Sequence, residues 1–233
     1  MKPYKLIIFD LDDTLFDYEE TEKYAIIKAC EKFCVIYEGD LYSQYKEANN
    51  IIRKEYKLLT TNNIQQFRDL RVKKFFSLIN NNNINSKDFI QEYLKHSTVG
   101  ILIEGVQATL EKLNGILKVV ATNGTNFPRQ NKLQSSYIAK YFDAYYSAEN
   151  LGVAKPNSEF FLKIIKKFNV SKDDVLIVGD DYSTDIQAAI ELGIDACWFN
   201  FRQKELTAKF PNNVYVIEKF NELISIVKGD KHE

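Results

Sequence analysis

Short apolar runs alternate with stretches of helical periodicity along most of the chain. Because the runs are almost continuously apolar, they are typical of strands covered on both faces, as in a parallel sheet. They predict strands at residues 5–9, 117–121, 175–178 and 196–199, with weaker candidates at 144–146 and 214–217. Helices are predicted between them at 106–113, 157–168 and 184–192. This alternation indicates an α/β fold, a doubly wound parallel sheet of the Rossmann-like kind with right-handed crossovers.

A long segment, residues 17–96, interrupts the alternation directly after the first strand and contains no convincing strand. A crossover between parallel strands needs only about a dozen residues, so the segment is too long to be a simple connection. We therefore expect an inserted all-helical domain at 17–96 and a Rossmann-like core made of 1–16 and 97–233. The periodicity predicts helices at 19–33, 41–56, 64–79 and 87–96, the last with Ser86 as its N-cap.

Composition narrows the class of function. The 233 residues include 31 basic and 32 acidic side chains, a formal net charge of −1, so no global positive field exists to recruit a nucleic-acid polymer. The apolar runs fall far short of the roughly 20 residues of a membrane span, and the first residues do not resemble a signal peptide. We expect a soluble, cytoplasmic protein that binds neither membranes nor a nucleic-acid polymer.

Acidic side chains come directly after the first predicted strand, where residues 10–14 have the sequence Asp-Leu-Asp-Asp-Thr. Carboxylates placed next to a buried strand are electrostatically costly unless a cation neutralises them. All are oxygen donors, which suits Mg²⁺. An acidic turn is weak evidence by itself, so a metal site is indicated only if the other strands also end in polar side chains.

Polar side chains do end the later strands, at the carboxyl edge where open α/β sheets bind ligands. Thr122 and Asn123 end the second strand. Lys155 precedes a predicted helix, where its charge can neutralise a bound anion, although the alternative for this residue is a solvated surface lysine. Residues 179–185, Gly-Asp-Asp-Tyr-Ser-Thr-Asp, come after another strand, with helix capping by Thr184 or Asp181 as the alternative role. The coincidence of these signals favours a single site.

Together these residues resemble the motifs of the haloacid dehalogenase-like superfamily of phosphohydrolases, over essentially the whole chain. The matching positions in chain order are Asp10, Asp12 and Thr14 (first motif), Thr122 (second), Lys155 (third), and Gly179, Asp180 and Asp185 (fourth). The helical segment 17–96 looks like the cap of the superfamily's C1 class. Further stretches, including Gln130 with Lys132 and Leu133, are similar to the YjjG-type 5′-nucleotidase branch.

The resemblance implies a chemistry for the acidic residues. Asp10 would be the nucleophile that forms an aspartyl-phosphate, and Asp12 the acid that protonates the leaving oxygen and then the base that activates water. Mg²⁺ is the implied cofactor. Its ligands would be the carboxylates of Asp10 and Asp180, the backbone carbonyl of Asp12, and Asp185 either directly or through a water.

The resemblance also implies substrate contacts. Thr122 and the backbone after it, with Asn123, would hold the phosphoryl oxygens while Lys155 compensates their charge. In the helical segment, Arg68 and Arg71 are three residues apart on one predicted helix and match an Arg-containing stretch of the nucleotidase branch. A solvated basic face is the commoner alternative for both. The expected partner is a small phosphorylated metabolite, a nucleoside 5′-monophosphate first, and the expected assembly is a monomer or weak homodimer.

Other functions share this fold. A haloalkanoate dehalogenase expels halide, which requires no protonated leaving group, and by family pattern it lacks an acid at the position of Asp12. Asp12 therefore argues against dehalogenation. A phosphatase of phosphoglycolate or of a sugar phosphate, or a phosphosugar mutase, stays open because these enzymes use the same motifs. A non-enzymatic binding protein would be expected to have lost at least one of the motif residues, and none is lost here.

Overall fold

The structure, a computed structural model, describes residues 4–55, 64–124, 126–205 and 210–229, and for 126–130 the backbone alone. Contacts within the chain divide it into two compact units. Met1–Tyr18 and Gly100–Glu233 form the first, which we call the core unit, and Glu19–Val99 form the second, the helical unit.

Within the described residues, the core unit contains a six-stranded parallel sheet with the order β3-β2-β1-β4-β5-β6. This is the Rossmann-like order, so the predicted doubly wound α/β fold is confirmed. Each predicted strand is present, with ends that shift by one residue at most. The strands are β1 (Leu6–Phe9), β2 (Leu117–Thr122), β3 (Ala144–Ser147), β4 (Val175–Gly179), β5 (Asp195–Phe199) and β6 (Val214–Ile217).

The helical unit contains the four helices that the periodicity predicts. They are α1 (Tyr18–Lys32), α2 (Leu41–Glu55), α3 (Ile64–Leu78) and α4 (Ser86–Ser97). Tyr56, the last residue of the predicted second helix, lies outside the described residues. Large aromatic rings dominate the core of this unit, where Tyr45, Phe75 and Phe89 are fully buried. Rings of this size bury enough apolar area to hold short helices together.

The predicted N-cap of α4 is wrong by one residue. The Asn85 side chain accepts hydrogen bonds from the backbone N–H groups of Lys87 and Asp88, at 2.9 and 3.4 Å. Ser86 Oγ instead donates to Asp69 at 2.5 Å. Asn and Ser are comparable N-caps, so the sequence does not separate these neighbours. The tertiary contact with Asp69 decides between them.

Strand side chains point alternately to the two faces of the sheet. Since the strands are apolar on both faces, helices cover both. Ile7 and Phe9 of β1 belong to one core cluster and Leu6 and Ile8 to the other. No helix in the described ranges is long and apolar enough to cross a membrane. The core-unit helices are α5 (Val106–Lys112), α6 (Asn126–Ser135), α7 (Ala148–Leu151), α8 (Glu159–Phe168), α9 (Gln187–Leu192) and α10 (Leu223–Lys228).

Two of the predicted helices of the core unit begin later than predicted, and both starts lie at the carboxyl edge of the sheet. The helix predicted from residue 157 begins at Glu159, because Asn157 Oδ1 accepts the backbone N–H of Glu159 at 2.9 Å and holds a turn there. The helix predicted from 184 is preceded by a π-helical turn, Tyr182–Ile186. Sequence periodicity carries no signal for that wider turn.

Candidate active site

The first acidic loop continues directly from β1. The Asp10 N–H donates to the carbonyl of Val178 at 2.8 Å, which extends the pairing of β1 with β4 by one residue. The chain then turns at Asp13, whose φ is 61° and whose N–H donates to the Phe16 carbonyl at 2.7 Å. Asp is one of the few side chains that tolerates this left-handed conformation. The turn fixes the backbone of Asp10 and Asp12 at the carboxyl edge of the sheet.

Lys155 is buried at this edge, so the alternative of a solvated surface lysine is wrong. Its side chain is 2% exposed, and its ammonium donates to Asp10 Oδ1 at 2.6 Å and to Asp185 Oδ1 at 2.7 Å. A third bond, at 3.1 Å, goes to the carbonyl of Ala121 near the end of β2. One buried ammonium thus links carboxylates that are far apart in the sequence.

Asn123 holds the main chain of Lys155. Its Oδ1 accepts the Lys155 N–H at 2.8 Å, and its Nδ2 donates to the Lys155 carbonyl at 2.9 Å. Both ends of the side-chain amide therefore bond one residue, which aligns the end of β2 with the lysine. The contacts that the structure gives Asn123 are positioning contacts, while its expected bond to substrate stays a prediction.

Three carboxylates converge at the edge of the sheet. Oxygens of Asp10, Asp180 and Asp185 all lie within 4.8 Å of one another. Besides Lys155, a half-exposed lysine contributes charge: Lys204 Nζ lies 3.1 Å from Asp180 Oδ2. An all-oxygen donor set of this kind fits Mg²⁺, which prefers carboxylates together with water. These residues are the ones the motifs assign to a cation.

Burial makes this cluster costly to ionise. Burial raises the pKa of Asp10 to about 7, against the lowering effect of Lys155 and with a further rise from Asp185. It raises the pKa of Asp180 to about 6, helped by the charge of Asp10. Burial raises the pKa of Asp185 as well, although Lys155 opposes the rise. A divalent cation would favour the ionised forms of all three, because opposite charge stabilises a carboxylate.

Gly179, the last residue of β4, lets Asp185 approach the main chain. A Cβ at this position would lie 2.6 Å from Cγ of Asp185, closer than side-chain carbons approach in proteins. Asp181 caps the following turn, since its Oδ1 accepts the N–H groups of Ser183 and Thr184 at 2.8 and 3.2 Å. The capping role considered for Asp181 is therefore the one observed, and Asp180 and Asp185 are the residues of this loop that face the cluster.

Asp12 meets a lysine that sequence reasoning assigned no role. Lys132 Nζ, on α6, donates to Asp12 Oδ1 at 2.9 Å, and the lysine side chain is 7% exposed. The available signal was its place in the stretch that resembles the nucleotidase branch. No local pattern indicates that a helix residue 120 positions away contacts the acidic loop.

The remaining predicted site residues belong to β2 and to the helical unit. Thr122 is buried at the end of β2, with its Oγ1 accepting the Gly124 N–H at 3.3 Å. Arg68 and Arg71 belong to α3 of the helical unit. The solvated basic face is wrong for Arg71, which is buried, pairs with Glu22 at 3.5 Å and stacks 4.6 Å from the ring centre of Tyr45.

The strand order and the acidic site at the carboxyl ends of the strands define the chain as a Rossmann-like α/β protein. A family model described as haloacid dehalogenase-like hydrolase matches residues 4–193. The chain therefore belongs to the haloacid dehalogenase-like hydrolase family.

Known proteins resemble the chain over most of its length. YfnB of Bacillus subtilis is 25% identical over 97% of both chains. The crystal structure of YfnB bound to magnesium superposes with a TM-score of 0.80, at 24% identity over 97% of this chain and 99% of that one. The pyrimidine 5′-nucleotidase PynA of Streptococcus pneumoniae is 28% identical over 84% of both chains. A glyceraldehyde 3-phosphate phosphatase of Methanocaldococcus jannaschii is 28% identical over 98% of this chain and 99% of its own.

Proposed function

We propose that this chain is a magnesium-dependent phosphomonoester hydrolase that acts through an aspartyl-phosphate on Asp10. The observation that carries the proposal is the cluster of Asp10, Asp180 and Asp185 around the buried ammonium of Lys155. Asp12, the acid that a phosphatase needs and a dehalogenase lacks, lies two residues from Asp10 on the same loop.

Hydrolysis would take place in two displacements. In the first, a carboxylate oxygen of Asp10 attacks phosphorus, and Asp12 gives its proton to the leaving oxygen as the ester bond breaks. In the second, Asp12 takes a proton from water, whose oxygen attacks phosphorus and releases inorganic phosphate from Asp10. Bound Mg²⁺ supplies positive charge that offsets the repulsion between the Asp10 carboxylate and the phosphoryl dianion.

The remaining core residues would bind and orient the phosphoryl group. Lys155 lies 2.6 Å from Asp10 and brings a positive charge beside the attacking carboxylate. Asn123 holds the backbone of that lysine, and Thr122 lies at the end of the neighbouring strand. Preorganised donors of this kind stabilise charge that develops in a transition state without reorganising during the reaction.

We propose nucleoside 5′-monophosphates as the first substrate class. This assignment is supported by the similarity to PynA and by the half-buried Arg68 on α3, which is the candidate contact with the nucleoside. Arg71, buried against Glu22, is assigned to the stability of the helical unit rather than to substrate. Glyceraldehyde 3-phosphate is the second candidate, because the archaeal phosphatase of that substrate matches nearly the whole chain. Phosphoglycolate, sugar phosphates and phosphosugar transfer are the further alternatives.

The direct test is a phosphate-release assay with Mg²⁺ over nucleoside monophosphates, glyceraldehyde 3-phosphate, phosphoglycolate and hexose phosphates. We expect turnover that chelation abolishes and added Mg²⁺ restores. Full activity in excess chelator would refute the metal-dependent mechanism. A preference of about 100-fold or more in kcat/KM for a non-nucleotide substrate, equivalent to about 2.7 kcal/mol, refutes the nucleotide assignment and leaves the phosphatase mechanism intact.

Asp10→Asn tests the nucleophile, since the amide keeps the shape of the side chain but cannot attack phosphorus. We expect a loss of at least about 10³-fold in kcat. Asp174→Asn is the matched control, because Asp174 pairs with Lys5 at 2.7 Å next to the amino ends of the strands. Phosphate trapped on the wild-type chain should map to Asp10, and label on a Ser, a His or another Asp contradicts the mechanism.

Arg68→Ala tests the substrate class. The variant should raise KM for nucleotides while turnover of a small aryl phosphate changes much less, because that substrate makes few contacts beyond the phosphoryl group. Arg71→Ala should act mainly on the stability of the helical unit. Equal losses on both substrates in Arg68→Ala argue against a contact with the nucleoside.

A further inference from the structure

Lys132 is a buried cation that the chemistry above leaves without a role. Its side chain is 7% exposed and its ammonium lies 2.9 Å from Asp12 Oδ1. The next residue, Leu133, is buried in the core cluster that contains Phe9 of β1, which anchors α6 on the sheet. A buried ammonium needs a well-placed counter-charge or hydrogen-bond acceptors to compensate its lost hydration. The contact with Asp12 is therefore part of the core packing, unlike an exposed surface ion pair.

The charge of Lys132 acts at a different carboxylate from that of Lys155. Lys155 donates to oxygens of Asp10 and Asp185 and to a backbone carbonyl. The three-carboxylate cluster includes Asp10, Asp180 and Asp185 but not the carboxylate of Asp12. One buried lysine thus compensates the cluster, and a second one contacts the residue proposed to move protons.

The backbone on both sides of Asp12 is already fixed. Asp12 forms a parallel bridge with Phe16, and the next residue, Asp13, has the left-handed conformation. With the main chain held, the side-chain torsions alone decide where the carboxylate points, and an Asp side chain has few favourable rotamers. An ammonium at 2.9 Å from one oxygen selects among them.

We propose that Lys132 is a positioning residue for Asp12. By holding Oδ1, Lys132 orients the carboxylate so that Oδ2 carries the proton to the leaving oxygen and later receives the proton of the attacking water. Lys132 makes and breaks no bond to substrate and stays an ammonium throughout. The proposal rests on the acid–base role of Asp12 proposed above.

Lys132→Met removes the ammonium and keeps most of the side-chain volume. We expect kcat to fall about 10- to 100-fold with KM within about threefold of wild type, because misplacing an acid–base group reduces the chemical step and leaves substrate binding largely intact. Lys132→Arg, which keeps the charge, should recover most of the loss. Where Lys132→Met does not fold at the assay temperature, Lys132→Gln provides the same comparison.

A double-mutant cycle with Asp12→Asn distinguishes positioning from a general effect on structure. If Lys132 acts through Asp12, the double variant is no slower than Asp12→Asn itself, because the lysine has nothing left to orient. Multiplied losses overturn the proposal, as does wild-type kcat in Lys132→Met. An Asp12→Asn variant as active as wild type would refute the acid–base role of Asp12 in the proposed function. This result differs from one in which only the positioning role of Lys132 fails.

Lys118→Met is the matched control for removing a buried lysine. Lys118 lies near the start of β2 and donates to the carbonyls of Leu113 and Ile116 at 2.8 and 2.7 Å. Its replacement should lower the thermal unfolding midpoint and leave kcat within about twofold of wild type. A Lys132→Met variant that behaves in the same way, with an unfolding midpoint reduced and kcat unchanged, contradicts the positioning role.

Discussion

Two buried lysines contact carboxylates at the carboxyl edge of the sheet, and they differ in the number of carboxylates that each one contacts. Lys155 contacts both Asp10 and Asp185, and a third carboxylate, Asp180, lies in the same cluster. Lys132 contacts Asp12, outside that cluster. In the described residues the cluster has more buried negative than buried positive charge, whereas the Asp12 pair is matched. The Asp12 carboxylate therefore has its own counter-charge, whereas the cluster, whose carboxylates have raised pKa values, holds excess negative charge that a bound cation would balance.

The largest expected effect comes from removing the lysine that serves two acids. Lys155→Met should reduce kcat by at least about 10³-fold and destabilise the metal-free protein by roughly 3–5 kcal/mol, because it leaves buried carboxylates without their partner. Steady-state kinetics and denaturant unfolding in chelator measure the two quantities. If Lys132→Met is equally damaging in both assays, the distinction between the lysines fails.

Asn123→Ala tests how Lys155 is held. The substitution removes both side-chain bonds to the Lys155 backbone, and we expect a loss of about 2–4 kcal/mol in unfolding free energy together with reduced kcat. Asn200→Ala is a close control, since Asn200 makes the same pair of bonds, at 2.8 and 2.9 Å, to the backbone of the half-exposed Lys204. Asn200→Ala should affect stability but leave kcat far less changed. Equal kinetic losses in the two variants contradict a special role for the Lys155 clamp.

Gly179→Ala perturbs the cluster without touching the Asp12 pair. The new methyl group would meet Asp185 at 2.6 Å, so the carboxylate must shift, at a cost of about 1–3 kcal/mol. We also expect Mg²⁺ binding to weaken about tenfold, because the contacts that orient metal-ligating side chains help to set the affinity for the metal. Trp198, the single tryptophan, donates to the Asp180 carbonyl at 2.8 Å and offers a fluorescence signal for the titration. An unchanged Mg²⁺ affinity contradicts the placement of Asp185 in the metal site.

The smallest expected effect is a pH dependence of stability caused by the excess negative charge of the cluster. Burial and the charge of Asp10 raise the pKa of Asp180 to about 6, so the folded chain binds more protons than the unfolded chain between about pH 4 and pH 6. In chelator, this carboxyl therefore lowers stability as pH rises through that range. Asp180→Asn should be about 1–2 kcal/mol more stable than wild type at about pH 8 and close to it at about pH 4. If the unfolding free energies of the two proteins differ by the same amount at both pH values, ionisation of Asp180 does not destabilise the fold.

Mg²⁺ should reverse the order of stability at about pH 8. Its binding stabilises the folded wild type, whereas Asp180→Asn binds Mg²⁺ weakly and is stabilised much less. Thermal unfolding with and without Mg²⁺ measures this reversal. Asp173→Asn is the control, since Asp173 is exposed and precedes β4. The same Mg²⁺ dependence in Asp180→Asn and in the control contradicts a metal role for Asp180.

The sheet and the positions of its acidic loops can be predicted from local sequence patterns. Buried parallel strands are continuous apolar runs, and this signal is local, so each strand was predicted to within a residue at its ends. Asp10, Lys155 and Asp180 were found by the same rule, because side chains after parallel strands meet at one edge. Helix starts were less predictable, since caps such as Asn85 depend on which side chain a tertiary neighbour engages.

Which charges are buried and paired depends on how distant segments pack together. A solvated surface position was an open alternative for Lys155 and for Arg71 in the sequence, yet packing from distant segments buries both beside carboxylates. The contact of Lys132 with Asp12 joins residues 120 positions apart. Hydrophobic periodicity specifies which face of an element is covered, but it does not specify which polar atom of another element comes within hydrogen-bond distance. That depends on how the elements pack, and no residue's local pattern records it.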